Sequence, residues 1–225
     1  MPPKPKPKTQ PSMPADRRDQ IRQLAAEMFF KRGYEATTMR ELAGAIQIKT
    51  ASLYYFFPNK EQILFELIES VVRQLIVGAR HLIAREQTPE HRLAGLVVNH
   101  VVLHAMRPKE STLGDSELRS LTKEHLRTNI RHRDEYERLV LSVLDEGADA
   151  RRFSLIEPKL TSYTIIAQSS HVGTWYRTSG RLSLQDVASA YVALALRTVA
   201  AEPLSEDDVQ RLVADAGLFH KAFAD

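Results

Sequence analysis

The sequence predicts an all-α protein: a three-helix N-terminal helix-turn-helix domain followed by a larger helical C-terminal domain, about ten helices together. Two observations lead there. Apolar residues recur at i, i+3, i+4 and i+7 through most of the chain, and no stretch alternates apolar with polar residues as a half-buried strand would. Helix starts are also marked repeatedly, by a Thr, Asn or Ser followed three residues later by Glu, Gln or Asp: Thr38 and Glu41, Asn59 and Gln62, Ser205 and Asp208. At that spacing the side chains satisfy backbone N–H groups that a helix leaves unpaired at its start.

Residues 1–15 hold six Pro and three Lys and almost nothing apolar. Burial cannot offset the entropy of ordering such a segment, so a disordered basic arm is expected, which either adds phosphate contacts or serves only solubility. A first helix should run from about Asp16 to Arg32 on the stripe Ile21, Leu24, Ala25, Met28 and Phe29, with Gly33 as its C-cap. Thr38 opens a second helix whose apolar side is Met39, Leu42, Ala43 and Ile46. After a break at Gln47-Ile48, a third helix from Thr50 to Phe56 completes a helix-turn-helix, and Pro58 ends it. This domain is expected to occupy residues 16–62, with the second domain over residues 63–225.

The stripe Leu64, Leu67, Ile68, Val71, Val72, Leu75 marks a long helix to about Arg85 that begins in the first domain and continues into the second. Further helices are expected over Glu90 to Met106, Ser116 to Leu121, Lys123 to Ala150, Pro158 to about Tyr176, Ser183 to Ala201 and Ser205 to about Ala224. A loop through Arg107-Pro108 and Gly114 should separate the first two. The helices over 160–176 and 183–200 carry apolar or small residues on more than one face, as does a helix that needs a partner on both sides. Packing against the same pair of a second subunit, a two-fold homodimer, is expected; a monomer core is the alternative.

Composition narrows the function. The absence of Cys excludes disulfides, thiolate metal sites and cysteine nucleophiles. No apolar run spans a bilayer and the N-terminus is Pro/Lys-rich, so a cytoplasmic protein is expected. No phosphate-cradling Gly-rich loop or nucleophile elbow is present, and catalysis is not expected. The formal charge of +3 is unevenly spread: residues 1–60 hold 11 Lys and Arg against 5 Asp and Glu, which is +6, leaving −3 for the rest. The helix-turn-helix half is thus the half that would attract a polyanion.

On the third helix Leu53, Phe56 and Phe57 take the apolar side, which leaves Thr50, Ala51, Ser52, Tyr54 and Tyr55 for solvent or a partner. Small hydroxyls and a methyl allow close approach to base edges in a major groove, while Thr38, Lys49, Tyr55 and Lys60 are candidates for phosphates. The run Ile21 to Leu64, above all Leu53-Tyr54-Tyr55-Phe56-Phe57-Pro58-Asn59-Lys60-Glu61 after Thr38, Leu42 and Ala43, resembles the DNA-binding domain of TetR-family transcriptional regulators. The resemblance implies double-stranded DNA as partner, a homodimer, and a small-molecule effector that releases a repressor from a palindromic operator. Two departures stand out: Gln47 where the family usually has Gly, which makes the turn harder to close, and Lys49 where it usually has a Ser cap.

In the second domain His100 and His104 lie four apart on an apolar face; they are either bonded core groups, lining of a ligand pocket, or, without a carboxylate to complete a motif, a poor metal pair. No metal or cofactor is expected. The cluster His171 to Arg177, with Tyr163, contains rings and cations enough for a pocket wall, although Trp175 would serve equally as a core anchor and Arg177 as a helix C-cap. W-Y-R-x-x-G-R-L-S from Trp175, with E-L-R-S-L from Glu117 and R-D-x-Y-E-x-L from Arg133, is similar to the C-terminal domain of the TetR-like branch that controls fatty-acid and sterol-ring catabolism and senses acyl-coenzyme A. That similarity implies Arg119, Arg131, Arg133 and Arg177 as partners for the coenzyme's phosphates. A second reading is a helical carrier of an apolar ligand whose helix-turn-helix no longer binds DNA.

Overall fold

A computed structural model describes residues 14–222, and the chain divides into two compact units at Ile63 and Leu64. Of the expected basic arm, residues 1–13 lie outside the described residues, and the first helix begins earlier than expected, at Pro14. The described residues form eleven α-helices and one short 3-10 helix, with no strand.

The first unit is built from α1 (Pro14–Arg32), α2 (Met39–Ala45), α3 (Thr50–Phe56) and the opening of α4 (Lys60–Arg85). Ile21, Ala25 and Phe29 of α1 are buried with Leu42 and Ala43 of α2 and Leu53 of α3, as the spacing demands. Gly33 takes φ +90°, which ends α1 in a conformation that costs glycine little. Thr38 and Glu41 form the reciprocal cap: Thr38 Oγ1 accepts from the Glu41 N–H at 3.2 Å and Glu41 Oε2 accepts from the Thr38 N–H at 2.8 Å. Asn59 Oδ1 likewise accepts from the Gln62 N–H at 2.7 Å.

The second unit is arranged around α5 (Pro89–Met106), thirteen of whose residues are buried. Packed against it are α7 (Lys123–Asp149), α8 (Pro158–Ser170), α9 (Val172–Trp175), α10 (Leu184–Thr198) and α11 (Glu206–Ala222). Most of α4 belongs to the same core through Val71, Val72, Leu75, Ile76, Ala79 and Leu82. Buried carboxylates pin the connection from α4 to α5: Glu86 to Arg211 at 2.6 Å, and Glu90 to Arg152.

Two stretches differ from expectation. The loop expected over Arg107 to Gly114, and the short helix after it, are instead α6 (Pro108–Ser116) followed by the 3-10 helix Leu118–Ser120. Proline is a helix breaker only in the interior; at the first helical position its missing N–H would have gone unpaired anyway. The helix expected from Pro158 to Tyr176 is broken at His171. The Ser170 carbonyl, which would accept from Thr174 in a continuous helix, is hydrogen-bonded to Nδ1 of His104 at 3.0 Å, and the Thr174 N–H turns to the His171 carbonyl. A buried side chain from α5 therefore decides where α8 ends.

Nor are α8 and α10 wrapped on every side within the chain. Leu160, Tyr163, Thr164, Ala167, His171 and Trp175, which the spacing sets along one side, are all exposed, and so are Ala190, Leu194 and Thr198 of α10.

Candidate functional site

Helix α3 stands on a buried apolar base. Leu53 is fully buried and Phe57, just beyond its end, is too. The guanidinium of Arg18, on α1, donates to the Phe56 carbonyl at 2.6 Å and lies 4.2 Å from the centre of the Phe57 ring, tethering the helix C-terminus. Opposite that base, Lys49, Ala51, Ser52, Tyr54 and Tyr55 are exposed, Tyr55 at 85%, and Thr50 is half-buried. Among the described residues the hydroxyls of Thr50, Ser52, Tyr54 and Tyr55 and the ammonium of Lys49 have no hydrogen-bond or ion-pair partner. The result is a helical ridge of free donors and acceptors with a cation at its N-terminal end. Arg40, exposed and likewise unpartnered, is a further cation that the sequence reading does not single out, although it lies off the apolar side of α2.

Two expected phosphate contacts are otherwise engaged. Thr38 gives its hydroxyl proton to Glu41 Oε2 at 2.7 Å while accepting the cap N–H, so it has no donor left for a phosphate. Lys60 donates to the Tyr34 carbonyl at 2.8 Å and the Glu35 carbonyl at 3.3 Å, and its ammonium sits 4.2 Å from the centre of the Tyr34 ring. It fastens the segment after α1 rather than offering a free charge. Gln47 occupies the turn at φ +59°, the left-handed conformation for which glycine is the easier residue.

The second unit contains a cavity of about 170 Å³. Its apolar wall is Ile68, Val71, Val72 and Leu75 of α4; its polar wall is His100 and His104 of α5, Ser111 and Asp115 of α6, Arg133 and Tyr136 of α7, and Tyr163 and Ser170 of α8. Hydrogen bonding fixes the tautomers. The Ser170 hydroxyl donates to the Ile166 carbonyl, so it accepts from His100 Nε2–H at 2.9 Å, and His100 Nδ1 accepts from the Tyr136 hydroxyl at 3.0 Å. His104 donates from Nδ1 to the Ser170 carbonyl and turns a lone pair elsewhere. Burial holds His100 well below the usual imidazole range and brings His104 down to about 4, so both are neutral; burial also pushes the Tyr136 phenol up.

Of the residues expected to hold a ligand, His100, His104 and Tyr163 line this cavity. Arg119, His171, Trp175 and Arg177 do not; all four are exposed, Trp175 at 43%, and Arg177 donates to the Tyr176 carbonyl. Trp175 is therefore no core anchor either. The break at His171 turns the last three away, which no periodicity could reveal. Of the arginines considered for phosphates, Arg133 alone faces the cavity, and Arg131 is exposed. Among the described residues no group of three His, Asp or Glu is arranged to hold a metal. No helix among them is long and apolar enough to cross a membrane.

Known proteins share both units. Residues 21–67 match the family model of bacterial regulatory proteins of the tetR family, and residues 86–199 match the tetracyclin repressor-like C-terminal domain. The HTH-type transcriptional repressor KstR2 of Mycolicibacterium smegmatis is 30% identical over 189 residues, 83% of this chain and 92% of that protein. Among solved structures, a tetR-family regulatory protein from Rhodococcus RHA1 superposes with a TM-score of 0.78 at 26% identity, over 85% of this chain and all of that one. The ketosteroid transcriptional regulator KstR2 of Mycobacterium tuberculosis does so with a TM-score of 0.76 at 26% identity, over 83% of this chain and 96% of that one. With a helix-turn-helix that presents α3 and, later in the sequence, a repressor-like helical unit, the chain belongs to the TetR family of DNA-binding transcriptional regulators, and is not an enzyme.

Proposed function

We propose that the protein is a cytoplasmic, homodimeric repressor that leaves a palindromic operator when a small apolar effector enters the cavity between α4 and α8. The observation that carries the reading is the α3 ridge, whose hydroxyls are unpartnered among the described residues, those of Ser52, Tyr54 and Tyr55 on exposed side chains. In this reading Ser52 and Tyr54, with Thr50 and Ala51, meet base edges, and Lys49 and Tyr55 meet phosphates. Leu160 and Leu194, 63% and 48% exposed on α8 and α10, support a second copy packed on those helices. Two recognition helices would then read half-sites about 34–36 Å apart.

The cavity supports a compact effector. A dry site of roughly 150 Å³ is enough for benzene, so about 170 Å³ suits one ring or a branched chain. The likeness to the ketosteroid regulator KstR2 favours a ring-bearing metabolite, and the resemblance of the C-terminal motifs keeps an acyl-coenzyme A thioester among the candidates. An effector that prefers the conformation with the wrong half-site spacing shifts the population away from DNA.

Fluorescence anisotropy with DNA flanking the protein's own gene tests this. Tyr54→Ala should weaken binding to the operator about tenfold or more and leave random DNA unchanged. Equal loss on both DNAs, or no binding to the flanking DNA at any salt, would remove the reading.

A further inference from the structure

Among the described residues, Arg133 is the one Lys or Arg lining the cavity. Its Nε donates to Asn129 Oδ1 and its Nη2 to the Gly114 carbonyl, both at 2.8 Å. Asn129 is completely buried and is itself oriented, because its amide donates to Glu69 Oε2 at 3.1 Å while His132 holds the other oxygen of that carboxylate. Glu69, Asn129 and Arg133 thus form a relay that aims the guanidinium.

The cation so aimed feels the carboxylates of Asp115 and Glu69 across space but is hydrogen-bonded by neither. Only neutral acceptors bond it, and among the described residues no carboxylate lies within 4.0 Å. The carboxylates on the same wall do not answer it: Glu110 pairs with Arg107 at 3.1 Å, Glu137 lies 3.8 Å from Lys159, and Asp134 is exposed. Asp115 is exposed at the rim, and desolvation raises its carboxyl against the pull of Arg133. His100 and His104, being neutral, do not share the task of attracting an anion. A part-buried guanidinium with spare N–H donors is favourable only when something accepts them.

We propose that Arg133 anchors the oxygen of a carboxylic or acyl group, so that the effector is a compact ring or branched chain whose acyl end points at α7. This rests on the effector reading of the cavity. The apolar body lies against Val71, Val72 and Leu75, and Arg133 binds the oxygen by a charge-assisted bond. Free carboxylate and thioester carbonyl share that chemistry.

The test is calorimetric titration of the full chain with three probes matched in ring size: cyclohexanecarboxylate, its S-methyl thioester and cyclohexylmethylamine. Either acyl probe should bind at least about tenfold more tightly than the amine, and Arg133→Gln should remove that preference by about 10–100-fold. Tight binding of the carboxylate alone identifies a free acid, and of the thioester alone an acyl carbonyl. The amine binding as well as both acyl probes, or neither acyl probe binding at millimolar concentration, overturns the proposal. Since Arg133 also holds the Gly114 carbonyl, Arg133→Gln is checked for folding by circular dichroism, and the wild-type comparison decides the matter without it. Operator release is read in the same samples. Acyl binding that leaves the operator complex intact sinks the effector reading and spares the anchor, whereas release by the amine as readily as by the acyl probes does the reverse.

Discussion

Three buried histidines are expected to make the protein acid-labile. His100, His104 and His220 are each at most 5% exposed; burial lowers His104 and His220 from 6.5 to about 4, and His100 well below its ordinary value. His220 Nε2 donates to Asn99 Oδ1 at 2.8 Å, and its Nδ1 is buried without a partner, so a proton there would go unanswered. Because the folded-state values are depressed, the unfolded chain binds more protons below pH 6.5. Stability from these groups is full above that pH and is lost as pH falls toward 4. Between pH 7 and pH 5 His104 and His220 each remove about 2 kcal/mol, about 4 kcal/mol together, and His100 adds a loss in the same direction, a large part of an ordinary domain's 5–15 kcal/mol. Carboxylates with lowered values, such as Glu90 and Asp208, lose their contribution only at lower pH and do not enter this window. The assay is urea unfolding followed by far-UV circular dichroism at pH 7, 6 and 5 and fixed protein concentration. His104→Gln, which keeps a donor for the Ser170 carbonyl but cannot titrate, should reduce the loss by about 2 kcal/mol. A change of less than about 1 kcal/mol in the wild type over that range would refute the burial argument.

Other substitutions probe the same structure. Gln47→Gly, relieving a left-handed φ of +59°, should stabilise the first unit by about 1 kcal/mol in thermal unfolding. Lys60→Met should destabilise by about 1–3 kcal/mol through its lost carbonyl bonds and ring contact, yet leave the salt slope of DNA binding unchanged. A slope lower by about one would restore Lys60 to the phosphates. Gly78→Ala would set a methyl 2.1 Å from Asn99 Oδ1, breaking its bonds to Leu75 and His220, and should lower stability by about 2–4 kcal/mol in the same unfolding assay.

Helices were legible wherever local chemistry chose them. The caps at Thr38, Asn59 and Ser205 are where the sequence puts a side-chain oxygen three residues before its partner, and the stripes of α1 and α4 bury nearly all the residues whose spacing predicts it. The exposed face of α3 was legible for the same reason, since Leu53 and Phe57 must turn inward and their neighbours cannot follow. Side chains whose partners are distant were not. Nothing local to Lys60 shows that Tyr34 and Glu35, some 25 residues away, will take its ammonium. Nothing local to Trp175 shows that His104 will end α8 and turn the next residues to solvent.

The sequence by itself determined an all-α chain with a helix-turn-helix, because periodicity, caps and turn residues act over a few positions and read the same in any surroundings. Tertiary structure decided which polar groups remain available. His100, His104 and Arg133 became a cavity wall, and Arg119, His171, Trp175 and Arg177 did not. Desolvation, hydrogen-bond competition and the meeting of helices remote in sequence settle such matters, and each depends on atoms that adjacent residues do not supply.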